Sequence, residues 1–155
     1  MSTDLHSKST QLTLIERIIK YITLLFWGGP VYYCIELLWR GYSHPSMFVL
    51  GGICFLAVGA LNNYLPWKLG FIWQVLIGTS IVIALELIAG LILNVWLGLG
   101  VWDYSNLRFN LWGQISLLYF GLFMPCVALG IWLDDFLRWK IWGQERPRYT
   151  WFGRL

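Results

Sequence analysis

The chain has 155 residues, of which 58% are hydrophobic, 18% are aromatic and only 12% are charged. Soluble domains contain about 45–50% apolar and about 25% charged residues, so this composition excludes an ordinary soluble domain. The formal net charge of +3 does not indicate nucleic-acid binding, because the basic residues stand at the ends of apolar runs. The length predicts one domain, and the composition predicts that it lies in a lipid bilayer.

Four apolar segments are long enough to cross a bilayer as helices, because a hydrocarbon core about 30 Å thick needs about 20 residues. They comprise residues 18–39, 46–65, 69–99 and 111–133. The third is longer than necessary, so it must tilt, project from the membrane or break near Gly98 and Gly100. Pro125 is expected to kink the fourth helix. The sequence predicts an all-α polytopic membrane protein with a four-transmembrane-helix bundle.

Lys and Arg residues are distributed unequally between the two sides of this bundle. Only Arg40 and Arg108 fall on one side, and the other nine of the 11 basic residues share the side of both termini. Basic segments remain in the cytoplasm, so both termini are predicted to be cytoplasmic. We divide the chain into a cytoplasmic N-terminal segment (1–17), a transmembrane domain (18–133) and a cytoplasmic tail (134–155). The tail mixes aromatic and basic residues, which predicts a short amphipathic C-terminal helix along the membrane surface.

Polar residues within the apolar segments are concentrated in the predicted outer half, and few are expected in the cytoplasmic half. Each costs about 2.5–3.5 kcal/mol to insert, so such residues are candidates for function. Glu36 and Arg40 stand four apart, on one helix face. They either form an internal ion pair or present Arg40 to an anionic ligand. Glu86 has no basic residue within one turn, and Asn94 follows on the same side of its helix. A structural hydrogen bond and a role in ligand or proton binding both remain open for Glu86.

The link before the fourth helix is rich in aromatic and polar residues. Asp103 is expected to cap a turn, and Asn110 is expected to be the N-cap of the fourth helix. Alternatively, Trp102, Asp103 and Tyr104 form an outer lid that contacts a ligand. The residues that we predict to bind a ligand are Glu36, Arg40, Glu86, Asn94, Trp102, Asp103, Tyr104, Asn110 and Gln114.

We assign no catalytic residue, no metal ligand and no cofactor from the sequence. His44 is the one histidine beyond the polar N-terminal stretch, and it lacks partners at metal-ligand or triad spacing. A phosphate-binding glycine loop followed by Lys-Ser or Lys-Thr is absent, which excludes that route to ATP hydrolysis. Cys34, Cys54 and Cys126 lie in apolar segments and are interpreted as packing residues.

Short motifs in the second half of the chain are similar to those of a known family. They are residues 85–90 (LELIAG), 102–105 (WDYS), 109–110 (FN) and 113–115 (GQI). These motifs resemble the putative ABC-transporter type IV family, also called CmpB-like, of small bacterial membrane proteins often labelled permeases. The resemblance covers about a third of the chain and implies a transport-associated protein of the bacterial inner (cytoplasmic) membrane.

Three functions remain open at this level. The first is a permease-like subunit with a polar ligand pocket in the outer half, acting as a homodimer, with a partner membrane subunit or with a separate ATPase. The second is a membrane-embedded enzyme acting on a lipid-linked or envelope substrate, with Glu86 or Asp103 as base and Arg40 holding a phosphate. The third is a non-catalytic sensor or assembly factor that binds a partner through its tail.

Overall fold

The computed structural model describes residues 13–65 and 69–152, and most of these residues are helical. The long helices are α1 (Leu14–Arg40), α2 (Pro45–Gly59), α4 (Phe71–Gly90) and α5 (Leu117–Trp142). A short helix, α3 (Leu61–Tyr64), follows α2, and a π-helical turn (Leu91–Trp96) extends α4. Two-residue strands β1 (Asn110–Leu111) and β2 (Ile115–Ser116) pair antiparallel, with Asn110 opposite Ser116, immediately before α5.

Helices α1 and α2 form an antiparallel hairpin that depends on glycine. Thr13 and Glu16 make a capping box at the start of α1, and Gly41 ends the helix with a φ of 77°. A Cβ atom on Gly28 would lie 2.2 Å from the Cβ of Phe55, and one on Gly51 would lie 2.4 Å from the Cβ of Tyr32. The two helices therefore approach more closely than side chains would allow, which agrees with the role of small residues in membrane helix packing.

Helix α2 lies at the centre of the arrangement. It packs against α1 on one side and against α4 and α5 on the other, and α4 packs against α5. Few direct contacts join α1 and α5, so a seam remains between these two helices. We call the two ends of the bundle the Arg40 end, where α1 stops and α5 starts, and the Lys20 end, where α1 starts and α5 stops.

Three helical segments are long and apolar enough to cross a membrane: Leu14–Arg40, Phe71–Trp96 and Leu117–Trp142. Helix α2 is apolar but has only 15 residues. At about 1.5 Å per residue it extends about 22 Å, less than the hydrocarbon core of a bilayer. Length and composition thus support three of the four predicted crossings.

The boundaries of the third and fourth predicted helices differ from the expectation. The break near Gly98 and Gly100 is confirmed, since regular helix ends at Trp96 and both glycines have positive φ values of 66° and 56°. The fourth helix starts at Leu117, six residues after the predicted start, and the side chain of Ser116 caps it. The prediction of Asn110 as its N-cap is therefore wrong, because a β-hairpin intervenes.

The C-terminal tail returns to the bundle. Residues 134–142 continue α5, Gly143 ends it with a φ of 62°, and residues 144–152 contain no helix. The carbonyl of Thr150 accepts a hydrogen bond from the amide of Phe71 (2.7 Å), and the carbonyl of Trp151 accepts one from Ile72 (3.3 Å). These carbonyls satisfy amides at the start of α4 that have no acceptor within the helix. The predicted amphipathic C-terminal helix is therefore not a separate element among the described residues.

Candidate functional site

A cavity of about 350 Å³ lies between α1 and α5 at the Arg40 end. Glu36 and Arg40 of α1 and Tyr104 of the loop before α5 contribute its polar groups. The other lining residues are Tyr32, Ile35, Leu38, Trp39, Tyr119, Leu122, Phe123 and Cys126. Three of the nine predicted ligand-binding residues thus lie together in one cavity.

Glu36 and Arg40 form the predicted ion pair on one face of α1. Their side chains are only 11% and 15% exposed. The hydroxyl of Ser43 also donates to the Glu36 carboxylate, and the Arg40 guanidinium lies 5.2 Å from the centre of the Tyr42 ring. Among the described residues, the buried Nε of Arg40 has no hydrogen-bond partner. The pair is neutral overall, and one of its donors is unused.

Four aromatic rings form a continuous wall of the cavity, which we call the aromatic wall. Tyr104 stacks on Tyr119 with ring centres 4.1 Å apart, and Tyr119 meets Phe123 at 6.0 Å. Phe123 in turn meets Tyr32 at 6.4 Å, which joins the loop, α5 and α1. Rings held at these separations attract one another, so the wall also closes part of the seam between α1 and α5.

Glu86 lies behind the aromatic wall, on α4. Its side chain is fully enclosed, and its Oε1 accepts a hydrogen bond from the Tyr104 hydroxyl at 2.9 Å. Its Oε2 is buried without a partner among the described residues. Burial, followed by the charge of Glu86, raises the pKa of Tyr104 well above its usual range, so its phenol remains a hydrogen-bond donor. Glu86 also interacts electrostatically with Glu36 and Arg40.

Asn94, Trp102 and Gln114 form a separate network that holds the loop before α5 against α4. The Asn94 amide donates to the Trp102 carbonyl (3.0 Å) and to the Gln114 side chain (2.8 Å), and its oxygen accepts from Val101 (2.7 Å). The indole of Trp102 donates to the Gln114 carbonyl at 2.9 Å. Gly90 permits this contact, since a Cβ there would lie 2.5 Å from Gln114 Oε1. None of the three polar residues lines the cavity.

Asp103 and Asn110 brace the loop itself. Asp103 accepts from the backbone amide of Ser105 at 2.8 Å, which confirms the predicted turn cap. Hydrogen bonds from the hydroxyl and amide of Ser105 lower the pKa of Asp103, which is exposed. Asn110 donates to the Leu107 carbonyl (2.7 Å) and accepts from Gly113 (3.0 Å). Both residues lie outside the cavity lining.

A second polar cluster lies at the Lys20 end, and three of its residues, Asp134, Asp135 and Arg138, belong to the segment that the sequence assigns to the tail. Arg138 pairs with Asp134, and both are almost fully buried. The second carboxylate, Asp135, accepts from Asn62 and from the hydroxyl of Tyr149. Lys20 is buried as well and lies 5.8 Å from the centre of the Trp142 ring. The spacing of Asp134 and Arg138, the same as that of Glu36 and Arg40, was the signal in the sequence.

A smaller cavity of about 120 Å³ continues along the seam from the first. Both cavities are lined by Tyr32, Ile35, Phe123 and Cys126. The smaller one extends to Gly28 on α1 and to Leu133 on α5, and its lining is apolar. Among the described residues that line the two cavities, the charged side chains are those of Glu36 and Arg40, in the larger cavity.

His44 has a structural position in the fold. It is the N-cap of α2, with its Nδ1 accepting a hydrogen bond from the backbone amide of Ser46 at 3.2 Å. Within residues 13–65 and 69–152, no group of three His, Cys, Asp or Glu side chains is placed to hold a metal ion.

Comparison with known proteins identifies one family. The family described as "Putative ABC-transporter type IV" matches residues 25–139, from the middle of α1 to near the end of α5. No curated protein and no solved structure matches the chain significantly. The family match covers both cavities, the loop before α5 and the buried pair at the Lys20 end. The chain therefore belongs to the putative ABC-transporter type IV family.

Proposed function

We propose that this protein is a permease-like subunit that binds its ligand in the cavity between α1 and α5. The observation that carries this proposal is the chemistry of the lining. A largely buried ion pair, Glu36 with Arg40, stands at one end of an otherwise apolar and aromatic cavity. Binding sites of small ligands commonly combine an apolar lining with a few placed polar groups. Family membership supports a transport-related role in a membrane.

Each polar group has a separate role in this proposal. Arg40 binds an anionic group of the ligand, and Glu36 both orients Arg40 and attracts a cationic group. Tyr104 connects the cavity to Glu86, so ligand contact and the state of the buried carboxyl influence each other. The other predicted residues act indirectly, by holding the loop that carries Tyr104; they are Asn94, Trp102, Asp103, Asn110 and Gln114. This differs from a single polar pocket formed by all nine predicted residues.

The proposal includes a partner, because a few helices around a seam do not enclose a complete pathway. A second copy of the chain or another membrane subunit would complete the pathway, and a separate ATPase would supply energy. The bilayer itself covers the remaining apolar surface, which includes exposed side chains such as Leu38, Leu129 and Trp132.

Ligand binding at Arg40 can be tested on purified protein in detergent. The melting temperature would be measured against a panel of zwitterionic metabolites, anionic metabolites and phospholipids. We expect at least one class to stabilise the wild type, and Arg40→Gln to weaken that binding by about tenfold or more, because a charge-assisted hydrogen bond is lost. Arg108→Gln is the matched control, since Arg108 is exposed on the outer loop. Equal responses of both variants to the ligand would contradict the proposal.

We further propose that α2 and α3 together make the fourth membrane crossing. They cover residues 45–64, about 30 Å if helical throughout, and α2 runs antiparallel beside α1. Four crossings put both termini on the same side, and the excess of Lys and Arg places that side in the cytoplasm. Reporter fusions after Gly41 and after Phe152 test this arrangement. We expect a periplasmic signal from the first and a cytoplasmic signal from the second; signals on the same side would reject four crossings.

A further inference from the structure

The shape of the seam suggests which class of molecule it holds. The larger cavity carries the polar groups, and the smaller, apolar cavity continues from it along α1 and α5. From Arg40 to Gly28 there are 12 residues of α1, or about 18 Å of helix. A polar end followed by an apolar channel of this length matches an amphipathic molecule with one polar head and an extended hydrocarbon chain.

The charges at the polar end of the seam indicate which kind of head group the amphipathic ligand carries. Glu36 and Arg40 together carry no net charge, so they match a head group that contains one negative and one positive group. Arg40 lines the cavity and its side chain is 15% exposed, so its guanidinium suits a phosphate oxygen, since a guanidinium binds phosphate through charge-assisted hydrogen bonds. The Glu36 carboxylate suits an ammonium group. A head group with both features is that of a zwitterionic phospholipid.

The seam also provides a route of entry from the bilayer. Leu38, at the larger cavity, and Leu129, at the smaller one, are 88% and 65% exposed. Apolar residues at the rim would face lipid chains in a membrane, so a phospholipid could enter sideways without leaving the hydrocarbon region.

We propose that the seam binds one zwitterionic phospholipid, with its phosphate on Arg40, its ammonium on Glu36 and one acyl chain between α1 and α5. This inference names the ligand class of the proposed function and rests on it.

Delipidated protein would be titrated with phosphatidylethanolamine and the bound lipid counted by native mass spectrometry. We expect one tightly bound molecule per chain in the wild type. Arg40→Gln should weaken binding by about tenfold or more through loss of the phosphate contact. Cys126→Phe should have a similar effect, because Cys126 lines both cavities and a larger ring would fill the channel. Gly121→Leu is the control, since Gly121 is exposed and a Cβ atom there would meet nothing within 4 Å.

Two further ligands separate the contributions of head and chain. Diacylglycerol lacks the phosphate, and glycerophosphoethanolamine lacks the chains; we expect both to bind much more weakly than the whole lipid. Equal binding of the lipid to wild type, Arg40→Gln and Cys126→Phe would indicate non-specific surface lipid and overturn the inference. Equal binding of the soluble head group would also overturn it, but would leave the proposed ligand site at Arg40 in place. If no ligand of any class depends on Arg40, the proposed function fails as well.

Discussion

Replacing Asp134 with alanine is expected to lower the free energy of unfolding by about 3–5 kcal/mol, because it leaves a buried charge without its partner. Asp134 is fully buried and pairs with Arg138, while Lys20 lies near both. Without Asp134, the two cations would share the single remaining carboxylate, Asp135. Asp134 also fits against Gly59 of α2, so alanine would leave a void between α2 and α5. Denaturant titration of purified protein in mixed micelles measures the loss.

The charge balance provides a sharp control for this experiment. The double variant Asp134→Ala with Arg138→Met leaves Lys20 and Asp135, one group of each sign. We expect it to be more stable than Asp134→Ala alone, which gives a coupling free energy from the double-mutant cycle. Glu145→Ala changes the net charge equally but at an exposed position, and it should alter stability by less than about 0.5 kcal/mol. A loss at Asp134 no larger than that at Glu145 would mean that the buried pair does not stabilise the bundle.

The cluster at the Lys20 end also connects the tail to the bundle. Burial and the hydrogen bond to Asp135 raise the pKa of Tyr149 above its usual range, so its hydroxyl keeps the proton that it donates. The neighbouring Thr150 and Trp151 accept hydrogen bonds from the first amides of α4. The tail is therefore tied to α4 and α5 by hydrogen bonds, and the stability of this end depends on both sets of contacts.

Much of the fold could be predicted because apolar length and composition are properties of a contiguous segment. Hydropathy alone predicts apolar helices over residues 18–39 and 69–99. The two glycines at 98 and 100 predict the break in the second of these. The start of α5 could not be located in the same way. Residues 111–116 adjoin the apolar run of the fourth helix and were included in it, but the positive φ angles of Trp112 and Gly113 and the pairing of β1 with β2 form a turn instead. Hydropathy contains no information about such local backbone conformations.

The candidate site was predicted less completely, because helix rotation and long-range contacts are not visible in spacing. The pairing of Glu36 with Arg40 follows from their separation on one helix, and the structure confirms it. The contact between Tyr104 and Glu86 spans 18 residues and two elements, so no periodicity indicated it. For the same reason the sequence analysis placed Asn94 and Gln114 in the pocket. In the structure they hydrogen-bond to each other and hold the loop before α5. The contribution of Tyr119 was not predicted, because aromatic residues are common throughout the chain.

Glu86→Gln is expected to reduce ligand-dependent stabilisation while the protein remains folded. The glutamine carbonyl can accept the hydrogen bond that Tyr104 now donates to Oε1, so the connection between α4 and the loop is retained. The amide nitrogen would replace Oε2, which has no partner among the described residues, so the cost in stability should be small, about 1 kcal/mol. The loss of the carboxyl should nevertheless weaken ligand binding by about tenfold, if the carboxyl senses the ligand through Tyr104. Melting temperatures with and without the stabilising compound of the panel measure both effects.

Tyr104→Phe distinguishes a functional carboxyl from a structural one. This variant keeps the ring stacked on Tyr119 but removes the donor to Glu86, leaving both carboxyl oxygens of Glu86 without a partner. If Glu86 acts on the ligand through Tyr104, both variants should lose the ligand response, and Tyr104→Phe should lose more stability because a buried acceptor is left unsatisfied. If both variants are merely less stable and still respond to the ligand as the wild type does, Glu86 is a structural hydrogen-bond acceptor. The site would then consist of Glu36, Arg40 and the aromatic wall alone.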